Sequence, residues 1–577
     1  MIFYDFEVFK HLWMVHFVDV INKEELTIVN DPDKLKEYYE KNVDNIWVGF
    51  NNNHYDQYIF KGILLGMDPW DINNKIINQK MMGWQISNLF NQVKMYNYDV
   101  FLMGKGGLKK LEGFMGHNIK ETSVDFRIDR KLTDAEILEV VEYCKYDVNE
   151  TIEVFLRRVN YFNTKMDLIK EFKLPLSNIS RTNAQLSSIV LGALKRDRSD
   201  TYDLNFPKEL DINKYDEVVR WYKNPINHNE YSSLELNVSG VPTVFRWGGV
   251  HGVIPNYIEE GKFVLVDVSS YYPSLMIEYD YMSRNVSNPK LFEEMYKERF
   301  RLRALGDNKQ EIFKLVLNTT YGCMGAEFNN LYDPLMRNNV CVTGQLFLLD
   351  LMEKLEDIKG VNPININTDG ILVRYENDKQ LEDIKKVSAK LSERTRMNLG
   401  YDYYYKVIQK DVNNYIALAE NEDYNVFVGA YVQDQNDLDY DLPIVNRALR
   451  EYFINGICVE DTINNENRLR EFQKIVTVSY KFDAAMHNNE ELTEKTLRVF
   501  ASKDRSDTKV TRFRMNKGKH QNMKFSNTSD NSFIDNSDVT EKLIPRKLDK
   551  QWYINLAKRR VEHFTNKGYD ANQLTMF

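Results

Sequence analysis

The stretch Lys262 to Ser274, KFVLVDVSSYYPS, combines an apolar run with an acidic residue at its end. The run Phe263 to Val266 has the continuous apolar character of a strand that is buried on both faces. Asp267 follows directly, and a carboxylate in such a place is costly unless it is solvated, paired or bound to a cation. The sequence therefore predicts a cation site at the end of this strand.

A second acid occupies a similar place further along the chain. Residues Ile364 to Val373, ININTDGILV, predict two short strands joined by a tight turn. We expect Gly370 to adopt a positive φ in this turn, which leaves Asp369 projecting from the bend. Each acid alone is more often a solvated turn residue. Together they could bind two Mg²⁺ ions about 3.5–4 Å apart, an arrangement suited to phosphoryl transfer.

The residues between these acids predict a cationic helical face. Met295 to Gly322 has the pattern of two helices separated by Gly306-Asp307. Such a face opposite a two-metal site suits a triphosphate. Helical spacing places two sets of side chains on shared faces: Arg299 with Arg303, and Lys314 with Asn318 and Tyr321.

These three segments, taken in order, resemble the motifs of the family B DNA polymerases. Residues 267–274 are similar to motif A (DxxSLYPS), with Tyr271 in place of the leucine. Residues 314–322 match motif B (KxxxNxxYG). Residues 367–370 resemble motif C (DTDS), although Asn367 replaces its first aspartate. The resemblance implies a template-directed polymerase with two Mg²⁺ ions at each active site, for which Mn²⁺ can substitute.

The resemblance also implies a role for each matched residue. Asp267 and Asp369 would bind the metals, and the Val268 carbonyl would be available to the nucleotide-bound ion. Tyr272 would lie under the sugar and exclude a 2′-hydroxyl, so the expected product is DNA. The other matched residues would contact the incoming nucleotide: Arg299, Arg303, Lys314 and Asn318 at its triphosphate, and Tyr321 and Gly322 at its base pair.

Residues 1 to about 165 predict alternating strands and helices. Thr133 to Glu136 has the pattern of a capping box that opens a long helix. The candidate strands are Ile2–Glu7, Leu12–Val20, Leu26–Asn30 and Ile46–Phe50.

A second acidic constellation lies in this N-terminal region. Asp5 and Glu7 are two residues apart on the first strand and share a face, as do Tyr143 and Asp147 at i,i+4 on the long helix. Asp56 begins a helix. An Asp-x-Glu pair alone is common. The ordered set resembles the Exo I, Exo II and Exo III patterns of the 3′–5′ proofreading exonuclease domain of the same polymerases.

The exonuclease resemblance implies an RNase H-like fold with two metals. Asp5, Glu7, Asp56 and Asp147 would bind them, and Tyr143 would orient the attacking water. Exo II also requires an asparagine that contacts DNA. Asn52 fits the shorter spacing and Asn51 the longer one, and Tyr55 replaces the usual phenylalanine.

Two further segments resemble DNA-contacting parts of these enzymes. Trp247-Gly248-Gly249 looks like the YxGG-type loop that handles template DNA, although Arg246 precedes it instead of a tyrosine. A plain hairpin turn is the alternative. The KxY motif at the primer terminus is represented by Tyr415, with Lys410 as a substitute for the missing lysine.

Composition is that of an ordinary globular protein, with 43% hydrophobic and 28% charged residues. The net charge is −9, yet Lys495 to the C-terminus holds 18 Lys and Arg against 9 Asp and Glu. This basic region suits a phosphate backbone, and a solvated basic face is the alternative. The four cysteines form no CxxC pair, so we expect free thiols. No apolar run is long enough for a membrane span, and no signal sequence is evident, which predicts a cytoplasmic protein.

The C-terminal region predicts helices interrupted by a polar stretch. We expect Asn516 to Asp538 to be a mobile loop near duplex DNA and Trp552 to Phe564 to be a helix. The last five residues resemble the bacterial sliding-clamp-binding motif QLxLF, with Gln573, Leu574, Met576 and Phe577 as anchors. Docking of Phe577 on its own domain is the alternative.

The sequence predicts an α/β and α+β multidomain protein, in which an RNase H-like exonuclease precedes a right-hand polymerase. The short spacings on either side of motif B leave no room for the insertions of protein-primed polymerases and favour an ordinary nucleic-acid primer. The resemblances imply primer–template DNA, dNTPs and a sliding clamp as partners. We expect a monomeric chain that a bacteriophage encodes. The alternatives are an exonuclease with a degenerate polymerase half and a DNA-binding scaffold. The expected domains are the exonuclease (1–165), a linker with the first part of the palm (166–290), fingers (291–325), second part of the palm (326–424), thumb (425–570) and clamp-binding tail (571–577).

Overall fold

The computed structural model describes residues 1–101, 103–516 and 519–566. Within these ranges, no helix combines the length and the apolar character that a bilayer-spanning segment needs. The mixed α/β multidomain architecture expected from the sequence is confirmed. The chain divides into two compact units: the first contains Met1–Ser180, Gln435–Val445 and Glu460–Asn555, and the second contains Arg181–Asp434, Asn446–Val459 and the chain from Leu556 onward.

Strands and helices alternate in residues 1–180. The strands are β1 (Ile2–Phe9), β2 (Leu12–Asp19), β3 (Glu24–Val29), β4 (Ile46–Gly49) and β5 (Tyr96–Asp99). The helices are α1 (Pro32–Asn42), α2 (Asp56–Leu64), α3 (Pro69–Ile77), α4 (Gly83–Ile86), α5 (Leu108–Met115), α6 (Asp134–Leu156) and α7 (Val159–Glu171).

Residues 181–434 contain the elements of the second unit's sheet. The strands are β6 (Ser233–Val238), β7 (Val241–Arg246), β8 (Gly249–Val253), β9 (Tyr257–Val268), β10 (Asn362–Ile366), β11 (Gly370–Tyr375), β12 (Leu399–Asp411), β13 (Asn414–Leu418) and β14 (Val426–Val428). The helices are α8 (Asn183–Val190), α9 (Asp216–Lys223), α10 (Tyr271–Glu278), α11 (Pro289–Ala304), α12 (Gln310–Met324), α13 (Pro334–Glu356) and α14 (Asp378–Thr395).

The rest of the described chain is rich in short strands. The helices are α15 (Pro443–Asn455), α16 (Val459–Asn465) and α17 (Lys550–Thr565). The strands are β15 (Lys474–Thr477), β16 (Ala484–His487), β17 (Glu490–Leu492), β18 (Thr496–Ala501), β19 (Thr511–Asn516), β20 (Lys519–Lys524) and β21 (Ser532–Ile534).

The N-terminal sheet has the strand order β3-β2-β1-β4-β5. β1, β2 and β3 are antiparallel, whereas β4 and β5 run parallel to β1. The four strands predicted here are confirmed with small shifts at their ends. Successive residues of β1 alternate between faces, so Tyr4 and Phe6 pack in an aromatic core with Trp47. Asp5 and Glu7 therefore lie on the opposite face.

The capping box that opens α6 is confirmed. Thr133 Oγ1 accepts from the Glu136 amide, and the Glu136 carboxylate accepts from the Thr133 amide at 2.8 Å. This start fixes the register of α6 against β1 and β2. Its C-terminal half buries Asp147 in the first unit.

The large sheet of the second unit has the order β14-β13-β12-β9-β11-β10-β8-β7-β6, and its neighbours pair antiparallel. β9 lies between β11 and β12 and supplies Phe263, Val264 and Val266 to the core. α13 is buried along almost its whole length. The predicted helical pair separated by Gly306-Asp307 is confirmed as α11 and α12.

Two local expectations are wrong. Gly370 does not adopt a positive φ; it begins β11, and a Cβ there would lie 3.0 Å from the Val266 carbonyl, so a side chain would crowd β9. Residues 516–538 are not a loop throughout, because β19 and β20 pair in register from Thr511↔Lys524 to Asn516↔Lys519, and β21 follows. β20 is polar at every position except Met523, so its own sequence has the composition of a loop, and its strand character depends on its pairing with β19.

Candidate active sites

Four carboxylates of the first unit line one cleft. Asp5 and Glu7 lie on β1, Asp56 begins α2, and Asp147 lies on α6. The cleft has a volume of about 570 Å³, and its walls also include Asn51, His54, Tyr55, Phe101 and Leu108. The structure therefore brings together acids that the sequence places on three separate elements.

Two of these carboxylates, those of Asp5 and Glu7, approach within the distance at which one cation could bind both. Ligand atoms of Asp5, Glu7 and Cys144 all lie within 4.8 Å of one another. The Cys144 thiol is buried and donates to the Asp5 carbonyl at 3.4 Å, which leaves the carboxylates as the ligands that face the cleft. Asp56 Oδ1 accepts from the Phe6 amide at 3.1 Å. This oxygen-rich set suits a hard divalent cation.

Burial and mutual repulsion raise the pKa of these carboxyl groups. Burial is the main cause for Asp5 and Glu7, and their charged neighbours raise the pKa of both further. Burial raises the pKa of Asp56 to about 7, although the hydrogen bond from Phe6 opposes this shift. The pKa of Asp147 is also raised by burial. A cation that binds among these four carboxylates would reduce the repulsion between them.

Lys109 is a member of this site that sequence reasoning missed. Its ammonium group donates to a carboxylate oxygen of Asp147 and to Glu112 at 3.0 Å, and it lies 4.6 Å from the centre of the Tyr143 ring. The carboxylates raise the pKa of Lys109 although burial opposes them. The only local signal is the pair Gly106-Gly107 before a helix, which is too common to identify a site lysine.

The predicted Exo II asparagine and Exo III tyrosine occupy different surroundings. Tyr143 hydrogen-bonds to Asp147, and burial raises the pKa of its phenol. Asn52 is fully buried, and its amide donates to Asn97 Oδ1 at 3.0 Å and to the Tyr98 carbonyl at 3.2 Å. Asn51, which fits the longer Exo II spacing, is the asparagine in the cleft wall.

One carboxylate of the second unit lies on β9, and a second lies directly before the neighbouring strand β11. Asp267, near the end of β9, is in register with Gly370, the residue after Asp369. The Val268 amide donates to the Asp369 carbonyl at 2.9 Å, which joins the two strand ends. Both acids border a cleft of about 310 Å³ that is also lined by Val268, Ser270, Tyr272, Leu317, Asn318, Tyr321 and Thr368.

β12 supplies two further residues that the sequence did not identify. Gly400 is in register with Asp267, and a Cβ at this position would lie 2.6 Å from Asp267 Oδ1. Asp402 lies two residues further along the same strand. Burial raises the pKa of Asp267, and repulsion from Asp402 and then Asp369 adds to the shift. An acid in the tyrosine-rich run YDYYY is the only sequence signal for Asp402.

The helical face opposite these acids is formed by α11 and α12. Asn318 and Tyr321 line the cleft, and Arg299 donates to Ser270 Oγ at 2.9 Å. Burial lowers the pKa of Arg299, and nearby Arg303 lowers it further. Lys314 is half-exposed and pairs with Glu311 at 3.1 Å. Gly322 is exposed on the same helix.

Tyr272 forms the floor of the cleft together with Tyr321. The centres of their rings are 4.1 Å apart. The hydroxyl of Tyr272 also interacts with the buried Cys341 thiol of α13. Gln345 donates to this sulfur at 3.3 Å and accepts from Tyr222 at 2.8 Å. These contacts restrain the ring of Tyr272 on the side that faces α13.

Asn367, at the position of the first motif C acid, shapes the turn that carries Asp369. Its Oδ1 accepts from the Thr368 amide at 2.8 Å, and its backbone amide donates to the Gly370 carbonyl at 3.0 Å. Tyr415 shares a neighbouring pocket with Asn367 and Asp369. Lys410 instead pairs with Asp411 and lies 5.8 Å from the centre of the Tyr431 ring.

The tryptophan-glycine segment forms a hairpin turn. Arg246 on β7 pairs with Gly249 on β8, so Trp247 and Gly248 are the two turn residues. Trp247 is buried and its indole donates to the Asn227 carbonyl at 2.8 Å. Gly248 is exposed, and a Cβ there would meet no atom within 4 Å.

The comparisons with known proteins give distant structural similarity and no match in sequence. No family model and no curated protein matches the chain. Among solved structures, the chain is similar to the family B DNA polymerase from the hyperthermophilic archaeon Pyrobaculum calidifontis. The match has 12% sequence identity and a TM-score of 0.41, and it covers 99% of this chain and 78% of that one. The proposals below are therefore argued from the geometry of the two clefts.

We expect the metal-free protein to lose stability as the pH rises through neutrality. Because the pKa of Asp56 is about 7 in the folded state and has an ordinary value of 3.8 for a solvated aspartate, the folded state binds the proton more tightly than the unfolded chain. Its contribution to the free energy of unfolding therefore decreases between about pH 4 and pH 7. In a chelator, thermal unfolding at about pH 8 should occur at least about 3 °C lower than at about pH 6, and Mg²⁺ should reduce this difference.

The matched control for this experiment is Asp56→Asn, which removes the titrating group and retains its size. This variant should show a smaller pH dependence in the chelator than the wild type. An equal pH dependence in both proteins would assign the effect to groups other than Asp56.

Proposed function

We propose that the chain is a template-directed DNA polymerase that extends a nucleic-acid primer with dNTPs and carries a 3′–5′ proofreading exonuclease. The observation that carries this proposal is the pairing of Asp267 and Asp369 on joined strand ends, in a cleft whose opposite wall presents Asn318 and Tyr321. Carboxylates facing a polar helical face suit the transfer of a nucleotidyl group. The separate carboxylate cleft of the first unit supports a second, hydrolytic activity.

In the proposed polymerising site, Asp267 and Asp369 would hold two Mg²⁺ ions, which would supply positive charge near the oxygens that carry negative charge during nucleotidyl transfer. Arg299 and Arg303 have the positions on α11 that suit a triphosphate, and Lys314 and Asn318 those on α12. Tyr272 is packed between Tyr321 and α13. We propose that this fixed ring excludes a ribose 2′-hydroxyl by contact.

In the proposed exonuclease site, the four carboxylates of the first cleft hold the metals. Tyr143 and Lys109 both contact Asp147 and limit the positions that its carboxylate can adopt. Asn51, in the wall of the cleft, is better placed than the buried Asn52 to contact the substrate. The strand order β3-β2-β1-β4-β5 agrees with the RNase H-like topology that the resemblance implies.

The other DNA-contacting and clamp-binding residues predicted from the sequence also belong to this proposal. We propose that Trp247-Gly248-Gly249 contributes to template handling through its exposed Gly248, and that Tyr415 and Lys410 act near the primer terminus. The clamp-binding residues Gln573, Leu574, Met576 and Phe577 lie outside the described residues. We also propose the domain assignments predicted from the sequence, a monomeric chain, a bacteriophage origin and a location in the host cytoplasm.

The alternative is an exonuclease whose polymerase half is degenerate, which Asn367 would favour. The side chain of Asn367 accepts from the Thr368 amide, as an aspartate could, so the turn that positions Asp369 does not depend on the missing acid. Loss of the acid therefore removes a charge and keeps the turn. This observation favours an active polymerase.

Primer extension on a 5′-labelled primer–template with Mg²⁺ tests both activities in one protein. The wild type should lengthen the primer with dNTPs and shorten it without them. Asp5→Ala/Glu7→Ala should only lengthen it, and Asp369→Ala should only shorten it, because each change removes ligands from one cleft. Asp378→Ala is the control, since this acid is exposed on α14 and pairs with Lys262 outside the cleft. A wild type that shortens the primer and never lengthens it would establish the degenerate-polymerase alternative.

Gly400→Ala should reduce primer extension by about 100-fold, because a Cβ 2.6 Å from Asp267 Oδ1 must displace this carboxylate. Shortening of the primer should continue at the wild-type rate. Gly261→Ala is the matched control on neighbouring β9, where the nearest atom to a new Cβ is 3.8 Å away. Equal extension by both variants would show that the position of Asp267 does not limit the reaction.

A further inference from the structure

Helix α5 connects the exonuclease cleft with the C-terminal part of the first unit. Lys109 lies in its first turn, and the helix ends at Met115. Eight residues give a length of only about 12 Å, so α5 is a short rigid link. The position of Lys109 therefore depends on what fixes the far end of this helix.

The C-terminal end of α5 is bound by residues that come more than three hundred positions later in the chain. The Phe114 carbonyl accepts from Arg470 at 2.9 Å and from Gln473 at 3.2 Å. Arg498 donates to the Gly113 carbonyl at 3.3 Å and to the His117 carbonyl at 2.6 Å. The Phe114 carbonyl is one of the last four of the helix, which lack a donor one turn further along, whereas the Gly113 carbonyl also accepts from the Gly116 amide at 3.1 Å. The side chains of Arg470, Gln473 and Arg498 therefore act as hydrogen-bond donors at the C-terminal end of α5.

Arg498 is an unusual residue for the interior because its side chain is fully buried on β18. The acceptors of its side chain are not carboxylates: they are Gln473 Oε1 at 3.1 Å and four carbonyls, those of Gly113, His117, Asp535 and Ser537. Burial lowers the pKa of Arg498 to about 10, which leaves it charged at neutral pH. The negative end of the α5 dipole faces this cation and offsets part of its desolvation cost.

Two glycines allow this close approach. A Cβ at Gly113 would lie 2.9 Å from Ile475 Cδ1 on β15, and one at Gly116 would lie 2.9 Å from the Arg470 side chain. Gly116 also has φ +86°, which favours glycine and ends the helix. The end of α5 is thus shaped to fit the C-terminal strands.

We propose that Arg498, assisted by Arg470 and Gln473, is a positioning residue for Lys109 in the exonuclease cleft. The exonuclease reaction then requires residues 460–555, although the four carboxylates all lie before residue 150. This inference rests on the proposed function, because it assigns Lys109 a role in hydrolysis. A purely structural role for Arg498 is the competing explanation.

The test is single-turnover hydrolysis of a 5′-labelled single-stranded oligonucleotide with saturating Mg²⁺, using the full chain. Arg498→Met should reduce the maximal rate by about 10-fold to 100-fold, with KM and primer extension within about two-fold of wild type. Arg498→Lys keeps the charge and loses most of the N–H donors, so its maximal rate should lie between those of Arg498→Met and the wild type. In Arg498→Met/Lys109→Met, the rate should equal that of Lys109→Met alone, because both changes remove one function.

Val499→Ala is the matched control for lost stability. Val499 is the neighbour of Arg498 on β18, and it packs in a cluster with Val476, Leu497 and Phe525 that contains no residue of α5. This variant should be destabilised without a comparable loss of hydrolysis. Equal losses in Arg498→Met and Val499→Ala, or additive losses in the double variant, would overturn the proposal.

Amide hydrogen exchange of residues 108–116 gives a readout that does not depend on activity. Exchange should be faster in Arg498→Met than in Val499→Ala, because only the former frees the end of α5. Unchanged exchange in Arg498→Met would overturn the positional claim. A wild type without hydrolysis would refute the proposed exonuclease instead, so the two failures are distinguishable.

Discussion

The pairing of β9 with β11 and β12 is the constraint on which the second unit depends. This pairing places Asp267 directly between Gly370 and Gly400, and a side chain at either position would press on the strand or on the carboxylate itself. The two glycines leave room for an acid near the end of an otherwise apolar strand. The same register joins Val268 to Asp369 by a backbone hydrogen bond, so the separation of the two acids is set by backbone geometry and not by flexible side chains.

The first unit also places several carboxylates close together, but other elements hold them. Its acids lie on β1, α2 and α6, and burial raises the pKa of each, as it also does for Asp267 in the second unit. Lys109 offsets part of this cost through Asp147 and Glu112. One lysine cannot neutralise four carboxylates, and the remaining repulsion is what a divalent cation would relieve. The two clefts therefore differ in how much they depend on a cation for stability.

Sequence patterns predicted the features that short spacings determine. The period of β1 placed Asp5 and Glu7 on one face, and the Thr133 capping box gave the start of α6. Features that depend on partners distant in the chain were missed. Gly400 and Asp402 matter only because β12 pairs with β9, and Arg498 matters only because β18 packs against α5. Gly370 was identified as a necessary glycine for the wrong reason, since crowding by Val266 and not a positive φ excludes a side chain.

Asn367 shows how a site can lose an acid without losing its shape. An aspartate at this position could also accept from the Thr368 amide, so the turn by itself does not require asparagine. The difference is charge, because a further carboxylate beside Asp267, Asp369 and Asp402 would add repulsion to a group whose pKa is already raised. Asp402 on β12 already supplies a third negative charge near Asp267. An uncharged residue in the turn therefore keeps the geometry of Asp369 and limits the repulsion among the carboxylates when no cation is bound.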